Sequence, residues 1–167
     1  MNVILDASSV INLDNVSALD AACRLVRCRF WLTPLVVGEC QPSSAAKLLE
    51  LKTAGALGFV DDTAIPTELF LSLLAEYDLG EGETEALSVC HVLGYDLCCD
   101  DKRARRLANE ILGDQRVIGS LRVLRWCVEE AFLDCTSAFQ LFQGMRAAGG
   151  FLPRVSRPFF CEGSSGC

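Results

Sequence analysis

The chain has a single histidine, His91, in 167 residues, and none of its ten cysteines forms a CxxC pair. Zinc sites are built from such spacings, so their absence turns attention away from zinc. Most of the cysteines interrupt apolar patterns and read as reduced core thiols acting as small hydrophobes. Only Cys161 and Cys167, in a Gly/Ser-rich end, are expected at the surface. No apolar run reaches the roughly 18 residues that span a bilayer, and no charged segment precedes Val3, Ile4 and Leu5. A soluble, cytoplasmic protein with no membrane association is expected. Positive charge is also scarce: 15 Lys and Arg stand against 22 Asp and Glu, a net charge of −7. That balance excludes a protein that grips nucleic acid by bulk positive charge. It leaves room for a nuclease, because an acidic metal cluster adds to the total while a local basic stripe still holds phosphates.

What is present is aliphatic: 51% of residues are hydrophobic and only 8% aromatic, which fits an α/β or α protein of one domain. Residues 2–5 form a short apolar run ending at Asp6, a buried first strand, and Ser8 or Ser9 is placed to cap the helix that follows. Residues 15–28 repeat apolar positions at helical spacing, and 30–32 read as a strand. Thr33-Pro34 starts a helix carrying Glu39 about one turn in, among apolar neighbours. A helix to about Ala54, a brief strand at Phe59-Val60 and a helix from Pro66 to about Tyr77 come next. The stretch from Gly80 to Arg106 then packs an acidic helix start, an apolar helix ended by Gly94, a strand at 95–99, the pair Asp100-Asp101 and a basic run into one unit. Helix 102–112, strand 117–118 and helices 121–131 and 136–148 complete the pattern.

Strands alternating with helices predict one central, mostly parallel sheet covered on both faces, a three-layer α/β/α sandwich. Ligands of such sheets bind beyond the carboxyl ends of the strands, where Asp6, Asp100 and Asp101 stand. Glu39 and Glu85 belong to apolar helices pointing back towards that edge. Of the trio Glu81, Glu83 and Glu85, the last adjoins Ala86, Leu87 and Val89 and is expected to face inward, the other two to support the helix start. Carboxylates about 4 Å apart repel by roughly 4 kcal/mol at an effective dielectric near 20, so a converging set needs a cation. Oxygen-only ligation selects Mg²⁺ or Mn²⁺. His91 is expected to be packed. Lys102, Arg103, Arg105 and Arg106, directly after Asp101, are placed either to hold phosphates flanking such a site or to form a solvated helix face.

The motifs LDASSVI, TPLVVGEC, GEGETEAL and CCDDKRAR, in this order and spacing, resemble the PIN-domain family of Mg²⁺-dependent nucleases, which includes VapC-like toxins. The resemblance covers roughly the first 130 residues. It implies a PIN-like domain over residues 1–150, with a tail at 151–167 disordered over 162–167. By position it places the catalytic and metal-holding acids at Asp6, Glu39, Glu85 and Asp101, with Asp100 as the substitute ligand and Ser8 as the small hydroxyl by the substrate. Where many members have Thr-x-Asp, this chain has Cys99-Asp100-Asp101. The activity implied is an Mg²⁺- or Mn²⁺-dependent endoribonuclease acting on single-stranded or structured RNA, the toxin of a toxin–antitoxin pair, with a homodimeric state and an antitoxin protein as partners. Competing readings are a catalytically silent PIN-fold binding module, a housekeeping RNA- or DNA-processing nuclease, and a dehalogenase-like phosphatase, which requires a second Asp where Ser8 stands.

Overall fold

The computed structural model describes residues 1–161. Five strands, β1 (Asn2–Leu5), β2 (Arg29–Leu32), β3 (Gly58–Phe59), β4 (Asp96–Cys98) and β5 (Val117–Ile118), form one sheet in the order β3-β2-β1-β4-β5. Every pairing is parallel. Val3, Ile4 and Leu5 are wholly buried, as expected of a central parallel strand covered on both faces. Each such side chain contributes about 1.5–3 kcal/mol of burial.

The helices are α1 (Ala7–Asp14), α2 (Leu19–Cys23), α3 (Pro34–Glu39), α4 (Pro42–Thr53), α5 (Thr67–Glu76), α6 (Glu81–Leu93), α7 (Lys102–Leu112), α8 (Ser120–Glu129), α9 (Cys135–Ala147) and α10 (Pro158–Cys161). One group gathers around α6, which packs on β1, β4, α3, α5 and α7; a second joins α1, α2, α8, α9 and α10. The chain is thus an α/β sandwich about an all-parallel sheet. No helix among the described residues is long and apolar enough to cross a membrane.

Chain order explains where the site lies. From β1 the chain moves outward through β2 to β3, then returns to the other side of β1 for β4 and β5. The switch in direction therefore falls between β1 and β4, leaving a crevice at their carboxyl ends. Leu5 pairs with Cys98, and the Asp6 N–H donates to the Cys98 carbonyl at 2.9 Å, so Asp6 and Cys99 leave the sheet side by side.

Several local expectations are corrected. The segment 15–28 is not one helix: α1 ends at Asp14 and the short α2 begins at Leu19, separated by a turn with Ser17 at φ 56°. Glu39 is the last residue of a six-residue helix, not a position one turn into a longer one. His91 is exposed on α6. Cys135 and Cys161 are joined in a disulfide, an exception to the reduced thiols. Within the segment assigned to the tail, α10 packs on α8 and α9, where Phe160 is fully buried. The expected disorder at 162–167 lies outside the described residues.

Candidate active site

Asp6 is the N-cap of α1, a role expected of Ser8 or Ser9, and it is 2% exposed. Its Oδ2 accepts from the Ser8 N–H at 3.1 Å, the Ser8 hydroxyl at 2.6 Å and the Cys99 thiol at 3.4 Å. Its Oδ1 is buried with no hydrogen-bond partner among the described residues. Burial raises the Asp6 pKa above its ordinary value, against the lowering effect of the Ser8 and Cys99 hydrogen bonds. An unpaired buried carboxylate oxygen is costly, and such a group calls for a proton or a cation.

Ser8 is a hub of the scaffold. While donating to Asp6, its Oγ accepts from the Asp100 N–H at 2.9 Å and the Asp101 N–H at 3.3 Å, tying the end of β1 to the turn after β4. The Cys99 thiol fills the place where a hydroxyl was expected, and burial pushes its pKa far upward, so it serves as a neutral donor.

The two acids after β4 divide their work. Asp100 spends both oxygens: Oδ2 accepts from Asn12 Nδ2 at 2.8 Å and Oδ1 from the Ser120 N–H at 2.9 Å, at the start of α8. Asp101 caps α7 through Oδ1 alone, accepting from the Arg103 and Ala104 N–H groups at 2.8 Å each. Its Oδ2 has no partner among the described residues, and the residue is exposed.

The resemblance places the third acid at Glu85. Glu85 is buried, but its Oε2 accepts from the Leu35 N–H at 2.8 Å and so satisfies the first turn of α3. Glu83 takes the position facing the crevice. It lines a small cavity of about 10 Å³ with Asp6 and Cys99, of the order needed to hold a single water. Partial burial raises its pKa, the Gly80 N–H opposes this, and the fields of Asp6, Asp101 and Glu39 raise it further. Its Oε2 accepts from the Gly80 N–H at 3.0 Å, closing the first turn of α6.

Glu39, exposed at the end of α3, accepts through Oε1 from the Gly82 N–H at 3.0 Å. A Cβ on Gly82 would stand 2.5 Å from that oxygen, so α6 needs a glycine there for Glu39 to approach. Asp6, Glu39, Glu83 and Asp101 thus share one design, which Glu85 also has: a backbone N–H anchors one carboxylate oxygen and the other is left over. No three His, Cys, Asp or Glu side chains among the described residues close up into a cation cage. The donor set nevertheless suits a hard divalent ion: four spare carboxylate oxygens, one of them orphaned and buried, and no histidine.

The basic run is largely committed to structure. Arg105 Nη1 donates to the Cys99 and Ile118 carbonyls at 2.8 and 2.6 Å. Arg103 pairs with Asp78 at 2.5 Å and Arg106 with Glu110 at 4.0 Å. Lys102 is exposed and has no ion pair among the described residues.

The acids thus gather at the switch point of a parallel α/β sheet, the place where ligands of such sheets bind. Residues 2–157 match the family described as PIN domain, and the chain belongs to that family. PIN domains are generally nucleases that use divalent metals. No curated protein and no solved structure matches the chain.

Proposed function

We propose that the protein is an Mg²⁺- or Mn²⁺-dependent endoribonuclease that hydrolyses RNA phosphodiester bonds. The observation that carries this reading is Asp6: a buried carboxylate with one oxygen unpaired, beside a half-buried Glu83 that feels Asp6, Asp101 and Glu39. Asp6, Glu39, Glu83 and Asp101 would hold the ion. When bound, such an ion supplies charge neutralisation at the phosphate and a water of lowered pKa.

The chain's own residues do the rest. Ser8 and Cys99 fix Asp6 Oδ2, which leaves Oδ1 as the oxygen available in the crevice. The α7 N–H groups fix Asp101 in the same way, and Gly82 fixes Glu39. The Gly80 N–H fixes one oxygen of Glu83 and leaves the other for the ion. Lys102 stands beside Asp101 and would meet a flanking phosphate. Asp100 and Glu85 act as positioning residues.

The toxin role, an antitoxin partner, a homodimer and a cytoplasmic site of action extend this proposal and rest on family resemblance. The test is cleavage of labelled RNA by purified protein with and without Mg²⁺ or Mn²⁺. Wild type should cleave only with metal, and Asp6→Asn should not cleave. Equal cleavage by the two proteins would remove Asp6 from the mechanism, and cleavage of DNA alone would remove RNA.

A further inference from the structure

A second concavity opens beside the acids, on the far side of Asp100. It measures about 270 Å³, near the lower end of small-ligand sites. Its floor is Val117 and Leu121, and one wall is Leu152, Pro153 and Phe159 from the segment that returns over α8. The polar groups at its mouth are Asp100, Arg105 and Arg122.

The charges here favour an anionic guest. Both oxygens of Asp100 are taken by Asn12 and the Ser120 N–H. Arg105 is held by two strand-end carbonyls, and Arg122 is exposed with no ion pair among the described residues. Two cations thus stand against one carboxylate, whose oxygens are already bonded. The walls have the other half of a nucleotide's chemistry: Phe159, half-buried, is braced edge-on by Phe160 at a centroid distance of 5.1 Å, has the Arg125 guanidinium over its ring at 5.7 Å, and lines the cleft next to Pro153. Unpaired bases stack on aromatic rings while arginines meet the backbone phosphates.

The geometry points to a base-holding subsite of the RNA strand: one unpaired nucleotide next to the cleaved linkage places its base against Phe159 and Pro153 and its phosphate at Arg122. Asp100 and Asp101 are neighbours in the chain, so the subsite and the acidic crevice share a wall. This assignment rests on the ribonuclease reading and adds that recognition requires a base, with the 151–161 segment as part of the binding surface. Arg122 and Phe159 are here specificity-determining residues.

The experiment uses the full chain carrying Asp6→Asn, without metal, and a fluorescein-labelled single-stranded octaribonucleotide read by anisotropy. The same RNA is prepared with an abasic residue at each position in turn. Removal of one particular base should weaken binding roughly five- to hundredfold, the range of base–aromatic stacking. Phe159→Ala should cause a similar loss and make the protein indifferent to that base, while Arg122→Glu should weaken binding of every octamer. Equal binding of all abasic RNAs, or no RNA binding by the parent, overturns the assignment. Loss with Arg122→Glu but indifference to every base assigns the cleft to the phosphate backbone alone and also overturns it. If Phe159→Ala melts early, the abasic series against Arg122→Glu still decides. Metal-dependent cleavage by wild type is scored separately, so a failed subsite and a failed nuclease reading give different results.

Discussion

Glu83 and Glu85 near the start of α6 and Asp100 and Asp101 after β4 make two pairs of acids, and in each pair one is bonded into the scaffold while the other is directed to the crevice. Glu85 caps α3 through Leu35 while Glu83 faces Asp6. Asp100 spends both oxygens on Asn12 and Ser120, while Asp101 keeps one. Asp100 has no oxygen left and Asp101 has one, whereas Glu85 and Glu83 each keep one and differ in direction, Glu85 towards α3 and Glu83 towards Asp6. Burial does not separate the roles, since Glu85 is the more buried of its pair and Asp100 of its own. Burial of an acid near a sheet edge therefore does not identify the reactive one. Which neighbour each carboxylate faces, together with the oxygens it has left, does.

Exchanging each acid for its amide separates the two roles, with the largest effects on the crevice side. Glu83→Gln and Asp101→Asn should each lower metal-dependent RNA cleavage more than about a hundredfold, beyond the usual cost of losing an outer-sphere contact. Glu85→Gln and Asp100→Asn should stay within about tenfold in cleavage and instead lose about 1–3 kcal/mol in denaturant unfolding, since each weakens a hydrogen bond to a partly buried donor. If Glu85→Gln is the inactive protein and Glu83→Gln the active one, the pairing has been read backwards.

Gly82→Ala probes the same region with a smaller effect. Its Cβ would push Glu39 aside, so cleavage should fall about ten- to hundredfold. Stability should change little, because a flexible carboxylate moves and Ala favours the helix. An unaltered rate would remove Glu39 from the site. Ser8→Ala should cost about 1–3 kcal/mol of stability, since two N–H groups and Asp6 lose their shared partner.

The smallest effect is in pH. Burial holds the Asp6 carboxyl above its ordinary range, so the folded state binds that proton more tightly than the unfolded chain. Its contribution is fully present below the unfolded value of about 3.9 and is lost as pH rises through the raised folded value. Compared with wild type, metal-free Asp6→Asn should therefore gain relative stability between pH 4 and pH 7. A melting-temperature difference that stays constant over that range would contradict the buried, unpaired carboxylate.

Much of this was legible in the sequence because its signals were local. Apolar 2–5 ending at Asp6, Thr33-Pro34 and Gly94 after α6 mark strand and helix ends by chemistry that acts within a turn. The choice between Glu83 and Glu85 is not local. Thr84 to Cys90 is buried without a break, so α6 has no polar face to show which side is inward. One inward direction leads to α3 and another to the sheet edge, and only the packing of α3 on α6 separates them. The commitments of Ser8 and Arg105 were hidden for the same reason: their partners lie at the ends of strands distant in sequence. The return of Phe160 to the core depends on α8 and α9 offering it a seat.

Calorimetric titration of Mn²⁺ into wild type, Glu83→Gln and Glu85→Gln tests the central claim most directly. The account predicts binding by wild type and Glu85→Gln and its loss, or a weakening of more than about tenfold, in Glu83→Gln. Binding retained by Glu83→Gln and lost by Glu85→Gln would contradict it.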